Sequence, residues 1–293
     1  MFEIIIQALV YGIFLAAVYG VMAMGFNLII GIVKMLNLAH AEFITLGAYI
    51  TYWLWVLLSF NPIAALPISA LIGLIFGIIL FFILIKKVVF SPDNALLVTF
   101  SLASIFQEGM KAAWTPNYRG VPWTLGTLSF SFITLPITYV LTFILNLAII
   151  LVVYFVIFKT YFGKAIRAVT IDPTAATFCG VNVDTTLAYG FAFATALGFI
   201  GGTFVVVYTS SGINPYMGTA FLGKSIVVAV IGGLGNAWGA LAGGLLVGML
   251  EQILPIFLKY VPGIEPFTFT PFIYFVIFLI ILLVRPGGLL GGK

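Results

Sequence analysis

The chain predicts an all-α integral membrane protein, a polytopic bundle of about eight transmembrane helices with at least one broken or re-entrant helix near residues 217 to 254. Three observations carry this reading. Only 7% of the 293 residues are charged while 63% are hydrophobic, and the mean hydropathy of +1.27 is out of reach for a domain with a charged aqueous surface. The charges fall between apolar runs near the roughly 20 residues that a 30 Å hydrocarbon core requires. The seventh run is interrupted by Gly232, Gly233, Leu234, Gly235 and Asn236, a stretch that weakens a helix. Open strands leave backbone groups unsatisfied in lipid, and the runs lack the short alternation of a barrel.

The elements follow in order. A first helix covers 4 to 31; no basic stretch precedes it, so it reads as a retained span with the mature chain starting at or near Met1 rather than as a cleaved signal. Spans at 42 to 60 and 62 to 85 come next, the first of them beginning at the polar group Asn37, His40 and Glu42. A fourth, 94 to 114, carries Glu108 and Lys111 three residues apart, a neutralised helical pair at its outer end. The spans 134 to 158 and 185 to 208 flank the longer polar connections, Lys111 to Ser131 and Lys159 to Val183. The interrupted stretch 224 to 254 and a last span, 268 to 284, complete the set. No polar tract is long enough to fold alone, so residues 1 to 293 read as a single transmembrane domain with a cytoplasmic loop at 159 to 183.

Lysines and arginines are retained on the cytoplasmic side. If the interrupted stretch forms two short helices with an added reversal, Lys34, Lys86, Lys87, Lys159, Lys164, Arg167, Arg285 and Lys293 lie inside, eight of the 12 basic residues. The N-terminus is then outside and the C-terminus cytoplasmic. Interrupted helices expose backbone at membrane depth, which is tolerated where it lines a cavity; Gly233, Gly235 and Asn236 are therefore expected along a pathway.

After the break, Gly235, Gly239 and Gly243 recur every four residues, as do Ala240, Gly244 and Gly248. These rows allow another helix to approach closely, either as ordinary packing or as a sliding or dimer contact. Gly218 to Ser225 matches the phosphate-loop pattern G-x-x-x-x-G-K-[ST], but it follows the loop Ser210 to Tyr216 and opens an apolar segment, with no later aspartate for magnesium. Any ATPase is thus expected on another chain. His40, the lone histidine, lies two residues from Glu42, on a different helix face, so the two make a poor metal pair. They read either as satisfied residues at a helix start with Asn37 capping or as pathway lining. Glu251 and Gln252 are expected at the interface. No nucleophile, base and orienter recur at catalytic spacing, so no catalytic residues are expected. The lone cysteine, Cys179, excludes an internal disulfide and a metal set, and no cofactor is expected. The net charge of +4 is small and scattered, which argues against nucleic-acid binding.

Four ordered blocks carry a family resemblance. Asn37-Leu38-Ala39-His40-Ala41-Glu42 resembles the N-x-A-H-G-E signature of the membrane permeases of branched-chain amino-acid ABC importers. Gly163-Lys164-Ala165-Ile166-Arg167-Ala168, with Asp172, Ala175, Ala176 and Gly180, resembles that family's cytoplasmic coupling loop. Gly232 to Gly244 resembles its glycine-rich stretch, and Arg285-Pro286-Gly287-Gly288-Leu289-Leu290-Gly291 its R-P-x-G-L-x-G tail. The single helix before the histidine motif is similar to the shorter, H-type subunit. Ala41, where the family usually has glycine, is a departure that bears on how tightly the backbone approaches at that turn.

The resemblance implies a permease subunit forming half of a translocation pathway for branched-chain, hydrophobic amino acids in the cell membrane. Its partners would be a second homologous permease, two cytoplasmic ATP-binding subunits and an extracytoplasmic substrate-binding protein. Residues 163 to 181 would form a surface helix whose small side chains, Ala165, Ala168, Ala175 and Ala176, fit a groove on the ATPase, with Asp172 before Pro173 at a turn or helix start. Similar permeases move urea and short amides. A stand-alone secondary transporter or channel is the reading from another class; it expects charges deep within helices. A retinal-type photoreceptor is excluded because Thr268 to Val284 lacks lysine.

Overall fold

The computed structural model describes residues 2–130, 133–209, 212–263, 265–285 and 287–290; Met1, Ser131, Ser210, Pro286, Gly291 and Lys293, named above, lie outside the described residues. Within them the chain is a helical bundle: α1 (Phe2–Val33), α2 (His40–Leu58), α3 (Leu66–Ile83), α4 (Pro92–Trp114), α5 (Ile137–Lys159), α6 (Tyr161–Ile171), α7 (Pro173–Phe178), α8 (Val183–Tyr208), α9 (Met217–Gly232), α10 (Ala237–Leu258) and α11 (Pro266–Val284). Seven of these helices are long and apolar enough to cross a membrane. α4 has the length but carries Asp93, Gln107, Glu108 and Lys111. α9, with 16 residues, spans roughly 24 Å at 1.5 Å per residue.

Each apolar run of the sequence coincides with a helix, and the run at 224 to 254 is two helices, α9 and α10, that reverse through Gly233 to Asn236. Helix starts are written locally. The side chains of Thr160, Asp172, Asn182, Asn236 and Glu265 each accept a backbone N–H at the start of α6, α7, α8, α10 and α11, satisfying donors that have no intrahelical partner. One addition to the all-helical expectation is a small antiparallel hairpin, β1 (Thr127–Phe130) and β2 (Ile133–Pro136), in register Thr127 with Pro136 and Leu128 with Leu135. It sits on an end of the bundle, where water can satisfy the strand edges that lipid would leave bare. Tyr11 ties it to α1 by donating to the Thr134 carbonyl at 2.8 Å.

The core is built around α1 and α8, the latter buried over most of its length. Small residues bring its neighbours to backbone contact: a Cβ on Gly202 would lie 2.6 Å from the Ala48 nitrogen of α2, and one on Gly77 of α3 would lie 2.5 Å from the Ala192 Cα. One end of the bundle gathers the C-termini of α1 and α3, helices α6 and α7, the α9–α10 turn and the tail, where Leu289 N–H donates to Ile231 O at 2.7 Å. Lys34, Lys86, Lys87, Lys159, Lys164, Arg167 and Arg285 belong to this end. The opposite end holds the start of α1, the hairpin, the bridge between Arg119 and Ile213, and the α10–α11 connection.

Candidate translocation and coupling sites

α1 ends at Val33, where the φ of 55° at Lys34 turns the chain out of the helix, and α2 begins only at His40. That start lies well inside the bundle. His40 Nε2 is 3.1 Å from the Met22 carbonyl, about 16 Å along α1 from its end at the 1.5 Å rise. Because a carbonyl only accepts, Nε2 carries the proton. Met35, Asn37 and Ala39 are buried between the two helices, a non-helical stretch at depth whose polar groups are met locally. Thr99 Oγ1 donates to Leu36 O and accepts from Leu38 N–H, both at 3.3 Å, and Asn37 Oδ1 accepts from Ala39 N–H at 3.1 Å. Irregular backbone at membrane depth persists only with such partners.

His40 and Glu42, both buried, point apart. The imidazole lies against Gly25 of α1 and Gly198 of α8, whereas the Glu42 carboxyl lies against Gly218 in the first turn of α9, with one oxygen unpartnered among the described residues. Asn37 Nδ2 and His40 Nδ1 are likewise without a partner there. Three polar groups with spare hydrogen-bonding capacity therefore line the start of α2.

The second irregular stretch is the α9–α10 turn. Gly233 and Gly235 adopt φ values of 112° and 77°, which an L side chain rarely takes, so the reversal needs glycine at both. Asn27 of α1 holds the turn: its Nδ2 donates to Asn236 O at 3.0 Å and its Oδ1 accepts from Gly235 N–H at 3.3 Å. Asn236 in turn caps α10 and donates through Nδ2 to Leu290 O at 2.9 Å. The two glycine rows face different partners. Gly239 and Gly243 lie against the backbone of α9 at Gly232 and Val228; Gly244 and Gly248 lie against α1, where a Cβ on Gly248 would sit 2.6 Å from the Ala16 nitrogen. Gly218 to Ser225 is helical throughout, so the apparent phosphate loop is the first two turns of α9 rather than a loop.

The segment 161 to 178 is two short helices joined at Asp172, whose carboxylate accepts from Thr174 and Ala175 N–H at 2.8 and 3.0 Å. The seven residues grouped there by sequence divide. Gly163 packs against the Ile157 carbonyl, Ala176 is buried, and Arg167 turns back to donate to the Ile157 carbonyl and cover the Phe158 ring. Lys164, Asp172, Ala175 and Gly180 are exposed. So are Tyr161, Ile171 and Phe178, at 87, 83 and 87%, large apolar side chains that the attention to small residues passed over. Arg167 also lines a cavity of about 380 Å³ shared with Gly31, Gly235 and Asn236, which places the segment and the turn on either side of one space.

Sequence reasoning also missed a charged cluster. Glu251, read from the sequence only as an interfacial residue, pairs with Lys224 of α9 at 2.7 Å, with side-chain exposures of 26 and 18%. Tyr19 of α1 completes the group: its hydroxyl donates to Glu251 Oε2 and accepts from Lys224 Nζ, both at 2.7 Å. The signal was Lys224 itself, a lysine inside an apolar run, absorbed into the phosphate-loop pattern.

The chain matches, over residues 8–285, the family described as branched-chain amino acid transport system / permease component. It is 26% identical over 312 residues to the high-affinity branched-chain amino acid transport system permease protein LivH of Salmonella typhimurium, covering 98% of this chain and 95% of that protein. To the corresponding permease protein BraD of Pseudomonas aeruginosa it is 26% identical over 303 residues, with the same coverage. Among solved structures, PsaBC from Streptococcus pneumoniae in complex with Fab aligns with a TM-score of 0.52 at 14% identity, covering 94% of this chain and 91% of that one, and so shares its fold.

Proposed function

The chain belongs to the family of branched-chain amino acid transport permease components, and from that membership we propose that it forms half of the pathway by which an ABC importer moves branched-chain, hydrophobic amino acids. It is a multi-pass membrane protein and a transport subunit, not itself an enzyme. ATPase and substrate-binding components are its partners by family; a second, homologous permease is the proposed other half.

The observation that carries the mechanism is the shared cavity at one end. Segment 161 to 180 offers Tyr161, Ile171, Phe178, Lys164, Asp172, Ala175 and Gly180 outward, while Arg167 and Gly163 join it to the end of α5, beside the turn Gly233 to Asn236. We assign this end to the cytoplasm because seven basic residues gather there, which puts the N-terminus outside and the C-terminus inside. Residues 1 to 293 then act as one transmembrane unit with its coupling segment at 159 to 183. Asn37, His40 and Glu42 line the pathway at the start of α2. Movement of the segment by the ATPase would be felt at the Asn27-held turn.

Purification of the chain with its permease partner, two ATP-binding subunits and the binding protein, followed by ATP-dependent leucine uptake into proteoliposomes, tests this reading. Lys224 and Glu251, charges well inside the bundle, favour a second reading, a stand-alone secondary transporter or channel. Uptake by the purified single chain without ATP would establish that alternative, and uptake of urea or short amides in preference to leucine would correct the substrate.

A further inference from the structure

We propose that Lys224, Glu251 and Tyr19 form a binding subsite for the charged groups of a zwitterionic amino acid, with its side chain held against the apolar part of the cavity that they line. The inference rests on the permease reading above and assigns substrate recognition to three residues outside the four sequence blocks.

The site is built on α1, α9 and α10. Nζ of Lys224 lies 2.7 Å from Glu251 Oε1 and from the Tyr19 hydroxyl, which donates to Oε2. The cluster lines a cavity of about 360 Å³ whose wall is apolar at Leu15, Val18, Val205 and Phe221 and polar at Tyr208, Thr209 and Gln252, within the roughly 300–1,000 Å³ typical of small-molecule sites. A second cavity, of about 490 Å³, meets the far side of Glu251 and runs toward the end of the bundle at Gln7 and Lys259. The carboxylate therefore stands between two spaces.

Removing one member of a largely shielded ion pair, here 18 and 26% exposed, leaves a poorly solvated charge, so the pair opens most readily to a ligand that replaces both partners. An α-amino acid does so, its carboxylate meeting Lys224 and its ammonium meeting Glu251, with no change in net charge. Tyr19 serves both steps, since its hydroxyl accepts from the ammonium of Lys224 and donates to Glu251 as the pair separates. A carboxylic acid without the amino group leaves Glu251 unpaired; an amide leaves Lys224 unpaired. The apolar wall then receives the hydrophobic side chain.

A structural clasp makes the same contacts but answers differently to charge reversal. In the reconstituted importer, the double variant Lys224→Glu with Glu251→Lys restores the pair, so it is expected to assemble at the wild-type level while leucine uptake at saturating binding protein falls at least ten-fold. The neutral double variant Lys224→Met with Glu251→Gln is expected to lose uptake equally. Wild-type uptake by either assembled variant overturns the subsite. Should both fail to assemble, Val205→Cys decides: leucine is expected to slow its alkylation by a small thiol reagent several-fold, whereas leucinamide and isocaproate do not. Absence of protection by leucine, or equal protection by all three, overturns the proposal. A wild-type importer that carries amides but no amino acid would instead refute the underlying function.

Discussion

Asn27, near the C-terminal end of α1, bridges the turn between α9 and α10 by donating to Asn236 O at 3.0 Å and accepting from Gly235 N–H at 3.3 Å. Leucine at this position fills similar space and makes neither bond. A buried group left unsatisfied costs about 1–3 kcal/mol. Asn27→Leu is therefore expected to lower the melting temperature in detergent and to raise proteolysis near residue 234; an unchanged melt would remove the anchoring role.

Gly248 meets the α1 backbone at Ala16, and Gly244 meets it at Gly20. A leucine at either position must push the two helices apart along their whole shared face. Gly248→Leu is expected to reduce the folded yield several-fold, as is Gly243→Leu against Val228 of α9. Normal yield and transport from both would show that the close approach is dispensable.

Asp172 accepts two N–H groups at the start of α7. Loss of such a cap costs about 1 kcal/mol, too little to unfold a membrane bundle. Asp172→Ala is expected to leave insertion intact while lowering uptake per ATP hydrolysed, and Asp172→Asn, which keeps the acceptor, to restore much of the coupling. Equal ratios in all three proteins would separate the cap from coupling.

Cys179 is exposed beside α7. Under the proposed orientation, an impermeant thiol reagent is expected to label it in inside-out vesicles and not in intact cells. Labelling of intact cells would reverse the orientation and detach segment 161 to 178 from any cytoplasmic ATPase.

At the opposite end, hydrogen bonds from Thr268 hold the exposed Glu265 carboxyl below its ordinary pKa, and Thr268 N–H donates to it at 2.6 Å. A depressed carboxylate stabilises the folded state above its unfolded pKa, and the contribution is lost as pH falls through the lower, folded value. The wild-type protein should thus lose its small advantage in melting temperature over Glu265→Gln as pH is lowered through the carboxylate range. A difference independent of pH would assign the effect to something other than ionisation.

The helices were legible because lipid imposes a length and an apolar composition that leave few alternatives. The break at Gly232 to Asn236 was legible for a related reason, since clustered glycine is costly inside a helix. The depth of His40 was not. Nothing in the local sequence announces that the stretch after Lys34 turns back into the bundle and buries Met35, Asn37 and Ala39, because the partners that permit it, Thr99 and Met22, come from other helices. The same holds for Lys224 and Glu251, 27 residues apart in sequence and joined only when α9 and α10 fold back on each other. The blocks at 163 to 180 marked a segment that folds as two short helices but not its outward face, which depends on how α6 rolls against α5 and α8 and buries Ile166 and Val169.

The close seating of Gly202 on α2 and of Gly77 on α8 has a mechanical consequence. With backbone touching backbone at these two glycines and the rings of Phe43, Phe76, Phe191 and Phe199 packed among the three helices, α2, α3 and α8 have little room to slide past one another. Lys86 and Asp184, 2.7 Å apart beside α7, join the chain after α3 to the start of α8, so the three helices meet the short helix α7 as one close-packed unit.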